Sequence, residues 1–187
     1  MKQLADFIKS KVGIEETDLQ IIVSKFTERT VKKGQFVLKK GQIANQYFFI
    51  KSGGLRFSFG VHDIQNTSWV VFQNQFFTEM SSLMPQRLTR FDIEAIEETV
   101  LLYLSKAEME LLYRQFPSWQ EFGRKTWEEL AVGMINQIVN FQTLTVEERY
   151  LDIMKTPELI QKVPIKNIAS LLGITPNALS RIRKNIR

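Results

Sequence analysis

Residues 163–187 constrain this chain more than any other stretch, because their spacing asks for two short helices set across one sharp corner. Ile165-Lys-Asn-Ile168-Ala169-Ser-Leu-Leu172 reads as a helix with a single apolar face. Gly173 comes four residues after Ala169, where a tight turn needs a residue tolerant of positive φ and the two helices need a small contact. Ile174 plugs the corner. Thr175 then reads as an N-cap with Pro176 at the first helical position, and Leu179 and Ile182 turn one stripe of the second helix inward. Asn177, Arg181 and Lys184 fall at i, i+4 and i+7 on the other side, with Ser180, Arg183 and Arg187 on the adjoining strip. This is a helix-turn-helix pattern whose outer face offers amide and guanidinium forks to base edges and cations to phosphates. Lys166 and Thr175, at the starts of the two helices, complete the candidate DNA-contacting set. The bland alternative is a helical hairpin with a solvated basic face.

Charge favours the sharper reading. From residue 159 onward the sequence holds Lys162, Lys166, Arg181, Arg183, Lys184 and Arg187 and no acid. Subtracting those six from the formal total of +5 leaves a body near −1. A basic block at one end of a near-neutral chain is a footprint for a polyanion, and double-stranded DNA is the simplest one. At 187 residues and 44% hydrophobic, the chain has room for one sizeable domain and a small one. The start has no long apolar run and no small-residue cleavage site, so a membrane partner is not expected and a cytoplasmic location is. With no cysteine there is no disulfide and no thiolate-held cluster. The single histidine, His62, lies in a polar stretch read as an exposed hairpin loop and cannot build a multi-histidine metal site.

The remainder divides into helix, strands and helix again. Leu4, Phe7, Ile8, Leu19, Ile22, Val23 and Phe26 give helical spacing over 4–27 across a break at Gly13. Short β-rich runs follow at 30–38, 47–51, 55–60, 67–72, 91–95 and 100–105, divided by turn residues such as Lys33-Gly34, Lys40-Gly41 and Ser52-Gly53-Gly54. That spacing predicts a jelly roll or a small barrel, with the phenylalanines filling its core. Ser105 with Glu108, Ser118 with Glu121 and Thr145 with Glu148 each read as a capping box opening a helix. Along the helix from 118 to about 142, Trp119, Phe122, Leu130, Met134, Ile138 and Phe141 form a narrow apolar stripe. Two surfaces could cover it: the chain's own roll or the same helix of a second copy. The reading favours the second copy, because helix-turn-helix readers bind as two-fold dimers.

The whole pattern is α+β: an N-terminal double-stranded β-helix (jelly roll) with flanking helices, a long dimerisation helix, and an all-α helix-turn-helix unit. In this order it resembles the Crp/Fnr family of bacterial transcription regulators. Val37-Leu-Lys-Lys-Gly41-Gln and Gln46-Tyr-Phe-Phe-Ile-Lys-Ser-Gly53-Gly54 are similar to the family's strand-turn pattern, and Asn74-Gln75-Phe76-Phe77-Thr78-Glu79-Met80 resembles the start of its phosphate-binding cassette. Gly173-Ile-Thr-Pro-Asn-Ala-Leu-Ser-Arg-Ile-Arg resembles the version found in Bacteroidetes members. The resemblance implies a sensor roll over 1–117, a dimerisation helix and hinge over 118–144, and a DNA-binding unit over 145–187. It also implies a homodimer on a pseudo-palindromic promoter site, with RNA polymerase as a further partner and a small-molecule effector in the roll. No wing hairpin is expected after the last helix.

The cassette departs from the family's cyclic-AMP pattern, in which a glycine and glutamate precede an arginine-serine pair about ten residues on, meeting a buried phosphate with close backbone and a cation. Glu79 matches, but Thr78 stands at the glycine, Thr89 at the arginine and Arg90 at the serine. A one-residue slip on a strand sends a side chain to the opposite face, so cyclic AMP is a poor candidate. The effector pocket, if kept, is expected at Asn74, Gln75, Thr78, Glu79, Thr89 and Arg90. No cofactor, metal site or catalytic residue is expected: one histidine cannot make a cupin centre, and no nucleophile elbow or phosphate loop is present. The runner-up reading is a ligand-sensing or protein- or RNA-binding module with a degenerate DNA-binding unit.

Overall fold

The computed structural model describes residues 1–61 and 64–186. His62, read as a loop histidine, and Arg187, placed on the basic strip, lie outside the described residues. The helices α1 (Lys2–Lys11) and α2 (Glu16–Ser24) flank the Gly13 break. The strands that follow are β1 (Thr27–Val31), β2 (Phe36–Leu38), β3 (Gln46–Ser52), β4 (Gly54–Val61), β5 (Ile64–Phe72), β6 (Phe76–Phe77), β7 (Asp92–Ala95) and β8 (Thr99–Ser105), with a one-turn helix α3 (Met80–Leu83) after β6. They form two antiparallel four-stranded sheets, ordered β1-β8-β3-β6 and β2-β7-β4-β5, which is the double-sheet roll.

The stretch 30–38, read above as one strand, is instead shared between two sheets. Gly34 adopts φ +79 and donates its N–H to the Ala95 carbonyl at 2.8 Å, so the chain turns out of the first sheet and enters the second. The pair Phe76-Phe77 and the turn α3 are too short to give a periodic signal, and the sequence reading passed over both.

Alternation along the strands builds two cores. Tyr47, Phe49, Phe76, Leu102 and Leu104 face the helices and pack with Leu4, Ile8, Ile22 and Trp119. Phe48, Ile50, Leu55, Val71, Phe77, Ile93 and Leu101 fill the space between the sheets. A central strand such as β3 is therefore apolar on both faces, which is why Tyr47-Phe-Phe-Ile50 reads as a continuous run.

Helix α4 (Lys106–Gln115) opens on the expected Ser105–Glu108 capping box. The long helix α5 (Pro117–Thr143) does not use Ser118: its N-cap is Phe116, Pro117 sits in the first turn, and Glu121 pairs with Lys125 at 2.7 Å. Then come α6 (Val146–Met154), opened by the Thr145–Glu148 box, α7 (Pro157–Lys162), α8 (Ile165–Leu171) and α9 (Pro176–Asn185). Among the described residues no helix is long and apolar enough to cross a membrane.

Candidate nucleic-acid interface

Helices α8 and α9 are the two arms of the motif. Gly173 takes φ +74, and the N–H of Ile174 reaches back to the Ala169 carbonyl at 3.0 Å, closing the corner. A Cβ on Gly173 would stand 3.4 Å from the Phe141 ring, so the end of α5 also presses on this corner. The Thr175 hydroxyl accepts from the Ala178 N–H at 3.2 Å, and Pro176 stands in the first turn of α9. Leu179 and Ile182 are buried with Ile168, Ala169 and Leu172. Asn177, Ser180, Arg181, Arg183 and Lys184 are all exposed, as is Lys166 at the start of α8 and Thr175 at the cap. Among the described residues none of Lys166, Arg181, Arg183 and Lys184 has a carboxylate within salt-bridge reach. Unpaired cations on one helical face, backed by an apolar opposite face, keep their charge available to a polyanion.

Sequence reasoning missed how this unit is held. Helix α8 lies on β5 of the roll, where Phe72, Val70 and Ile96 join its apolar cluster. Asn167 Oδ1 accepts from Arg56 at 3.3 Å, the Ser170 hydroxyl accepts from the Thr67 N–H at 2.8 Å, and Lys162 pairs with Glu97 at 2.8 Å. Arg56 also pairs with Glu94 at 3.0 Å across β4 and β7. Glu94 and Glu97 thus help fasten helices to the roll, a role that only the sheet pairing reveals.

The apolar stripe of α5 divides in two. Trp119 and Phe122 are fully buried in the chain's own core, stacked on each other at 4.5 Å and met edge-on by Phe76. Placing these two in a dimer interface is therefore corrected: the first turns of α5 cover the roll. Gly123 completes that fit, since a Cβ there would collide with the Tyr113 phenol from α4. Trp127 still packs on Tyr47 and Phe76, but farther along Leu130, Met134, Ile138 and Phe141 are 36–59% exposed, together with Ile135 and Val139. The Arg149 guanidinium lies 4.0 Å from the Phe141 ring centre, covering one face of it.

Of the six residues expected to line an effector pocket, five are engaged by hydrogen bonds within the chain. Thr78 donates to the Gln46 carbonyl at 2.7 Å, and the Thr89 hydroxyl accepts from the Phe91 N–H at 3.0 Å. Gln75 accepts from the Phe72 N–H at 2.8 Å. Glu79 is buried and caps α3 through the Ser81 N–H and hydroxyl, leaving Oε2 without a partner. Asn74, at φ +62, bonds Gln3 at the rim of a cavity of about 730 Å³ beneath α1. Arg90 is exposed, with its guanidinium 5.3 Å from the Phe91 ring. Among the described residues no group of three histidine, cysteine or acidic side chains could hold a metal.

The family model of the cyclic nucleotide-binding domain matches residues 28–116, from β1 to the end of α4. No curated protein matches the sequence. Among solved structures, a putative transcriptional regulator of the Crp/Fnr family from Eubacterium rectale superposes with a TM-score of 0.70 at 16% identity, covering 92% of this chain and 83% of that one. FixK2 from Bradyrhizobium japonicum gives 0.69 at 17% identity, with 86% and 84% covered. The c-di-GMP-responsive global regulator CLP of Xanthomonas campestris gives 0.69 at 14% identity, with 92% and 91% covered. The chain has the fold of these proteins, double-sheet roll and terminal helix-turn-helix together.

Proposed function

We propose that this chain is a Crp/Fnr-like regulator of transcription, of the Bacteroidetes type, that binds a pseudo-palindromic DNA site as a homodimer. The observation that carries the reading is the two-sided character of α9: Leu179 and Ile182 are buried, while Asn177, Arg181, Arg183 and Lys184 face outward without an acidic partner among the described residues. Arg181 and Asn177 supply forks for base edges, and Lys166, Arg183 and Lys184 supply phosphate contacts. The exposed part of α5, from Leu130 to Phe141, is the surface for a second copy, which would set two recognition helices one helical turn of DNA apart. RNA polymerase is the further partner of such a regulator. The chain has no catalytic role in this reading.

The effector is other than cyclic AMP. Thr78 and Thr89 are engaged by local hydrogen bonds and Arg90 stands outside, so a cyclic phosphate near Glu79 would meet a carboxylate in place of a cation.

Titrating the full chain against random duplex DNA over a range of salt tests the reading. Binding should fall with a log–log slope of about −0.9 for each phosphate contacted. Selection from a random library should return a two-fold site with half-sites about 10 base pairs apart. A flat salt response, or capture of single-stranded RNA in preference to duplex DNA, would overturn it in favour of an interaction module.

A further inference from the structure

We propose that Arg29 anchors a small oxyanion-bearing metabolite, carboxylate or phosphate with an apolar part, in an open groove at the turn between the two sheets. The register fixes where Arg29 points. It pairs with Leu101, which pairs in turn with Ile50, and both of those side chains lie in the core between the sheets. Paired residues share a face, so the arginine is directed inward as well. Its guanidinium lies over two neighbouring rings, Phe48 at 5.2 Å and Tyr103 at 5.3 Å. There Nε and Nη2 are shut off from solvent and have no hydrogen-bond partner. Burial pushes the Arg29 pKa down, which marks the same desolvation.

An inward arginine on a strand is costly when unpaired, and two aromatic faces return only part of that cost. Valine or leucine would serve packing better at this register position. The open groove beside it, about 560 Å³, is lined by Arg29, Thr30, Gln35, Phe36 and Lys39 along with Val31 and Gly34. That lining holds two cations and no carboxylate. Glu94, which approaches the Gly34 corner, is engaged by Arg56. Arg29 lines this groove, Lys39 adds a second positive charge for a carboxylate or phosphate, and Phe36 offers an apolar wall. None of these residues belongs to the 74–90 segment, and the site stands or falls apart from DNA binding.

Calorimetry and thermal melting of the full chain, with inorganic phosphate, phenyl phosphate and benzoate at matched ionic strength, test the assignment. At least one of the three should bind, about tenfold or more weakly in Arg29→Met, about threefold more weakly in Lys39→Gln, and unchanged in Arg90→Ala. Preference for phenyl phosphate over benzoate identifies a phosphate ligand, the reverse a carboxylate, and equal binding of inorganic phosphate a free-phosphate site. Without ligand, Arg29→Met should melt at a higher temperature than the native chain, because an unpaired charge has been removed from an apolar setting. No binding of any probe, native-like binding by Arg29→Met, or a lowered melting temperature in that variant would each overturn the proposal, the last by showing that the arginine is a packing pillar.

Discussion

The backbone N–H of Thr67 in β5 donates to the hydroxyl of Ser170 in α8 at 2.8 Å, tying the roll to the helix pair across 103 residues of sequence. The β4–β5 ladder shifts register beside Thr67, between Phe57 and Ser58, and such a bulge leaves backbone groups unpaired on the strand. Ser170 takes up one of them. Ser170→Ala strands that N–H in a partly buried setting and should weaken docking of α8 by about 1–3 kcal/mol. Hydrogen exchange at Thr67 should then quicken while exchange in β3 and β8 stays unchanged. Equal protection of Thr67 in both proteins would show that the contact does not hold the helix.

Burial pushes the Tyr113 phenol up to about 12, from an ordinary value of 10.0. The folded chain therefore keeps a proton that the unfolded chain gives up, so this stabilisation is complete below pH 10 and drains away as pH rises toward about 12. At most the loss is about 2–3 kcal/mol. Tyr47 is shifted upward by burial too, in the same direction. Chemical denaturation at pH 9 and about pH 11 should show Tyr113→Phe losing less stability than the native chain over that interval. Parallel loss in both proteins would place the phenol in water.

How legible these features were depends on the range of the forces that fix them. The capping boxes at Ser105 and Thr145, the Thr175 cap and the positive φ of Gly173 are decided within a few residues, and the sequence shows them plainly. Ser118 misleads because Pro117, its neighbour, suits the first turn better and moves the cap back to Phe116. The α5 stripe is legible as apolar, but periodicity carries no information on which surface covers each part. Only the folded roll shows that Trp119 and Phe122 meet Phe76 while Leu130 and Ile138 stay exposed. Arg29 and Ser170 stayed hidden for the same reason: strand register in one case and a bulge in the other give them their surroundings.

That division of α5 makes the two halves separable by mutation. Leu130→Asp with Ile138→Asp should leave a folded monomer, since both residues are exposed and an added carboxylate costs the isolated chain little. Phe122→Asp should instead unfold the roll, removing a fully buried ring that stacks on Trp119 and losing about 3–5 kcal/mol before the buried charge is counted. Light scattering and circular dichroism read the two outcomes. A native chain that is already monomeric at micromolar concentration would remove the basis for assigning residues 130–141 to a second copy.

On α9 the stripe of Asn177, Arg181 and Lys184 should sort into base-reading and phosphate-holding positions. Arg181 stands one turn into the helix, exposed and without an acidic partner among the described residues, and a guanidinium there can grip a guanine edge with two parallel hydrogen bonds. Lys184 lies in the last turn, where a flexible ammonium neutralises a phosphate whatever the sequence. Arg181→Ala should cost about 1–3 kcal/mol on the selected site and relax preference at one base pair per half-site. Lys184→Ala should weaken selected and random duplexes alike and reduce the salt slope by about one unit per subunit. Competition binding on both duplexes separates the roles, and equal losses for Arg181→Ala on the two would make it a phosphate contact, leaving Asn177 as the principal candidate for sequence discrimination.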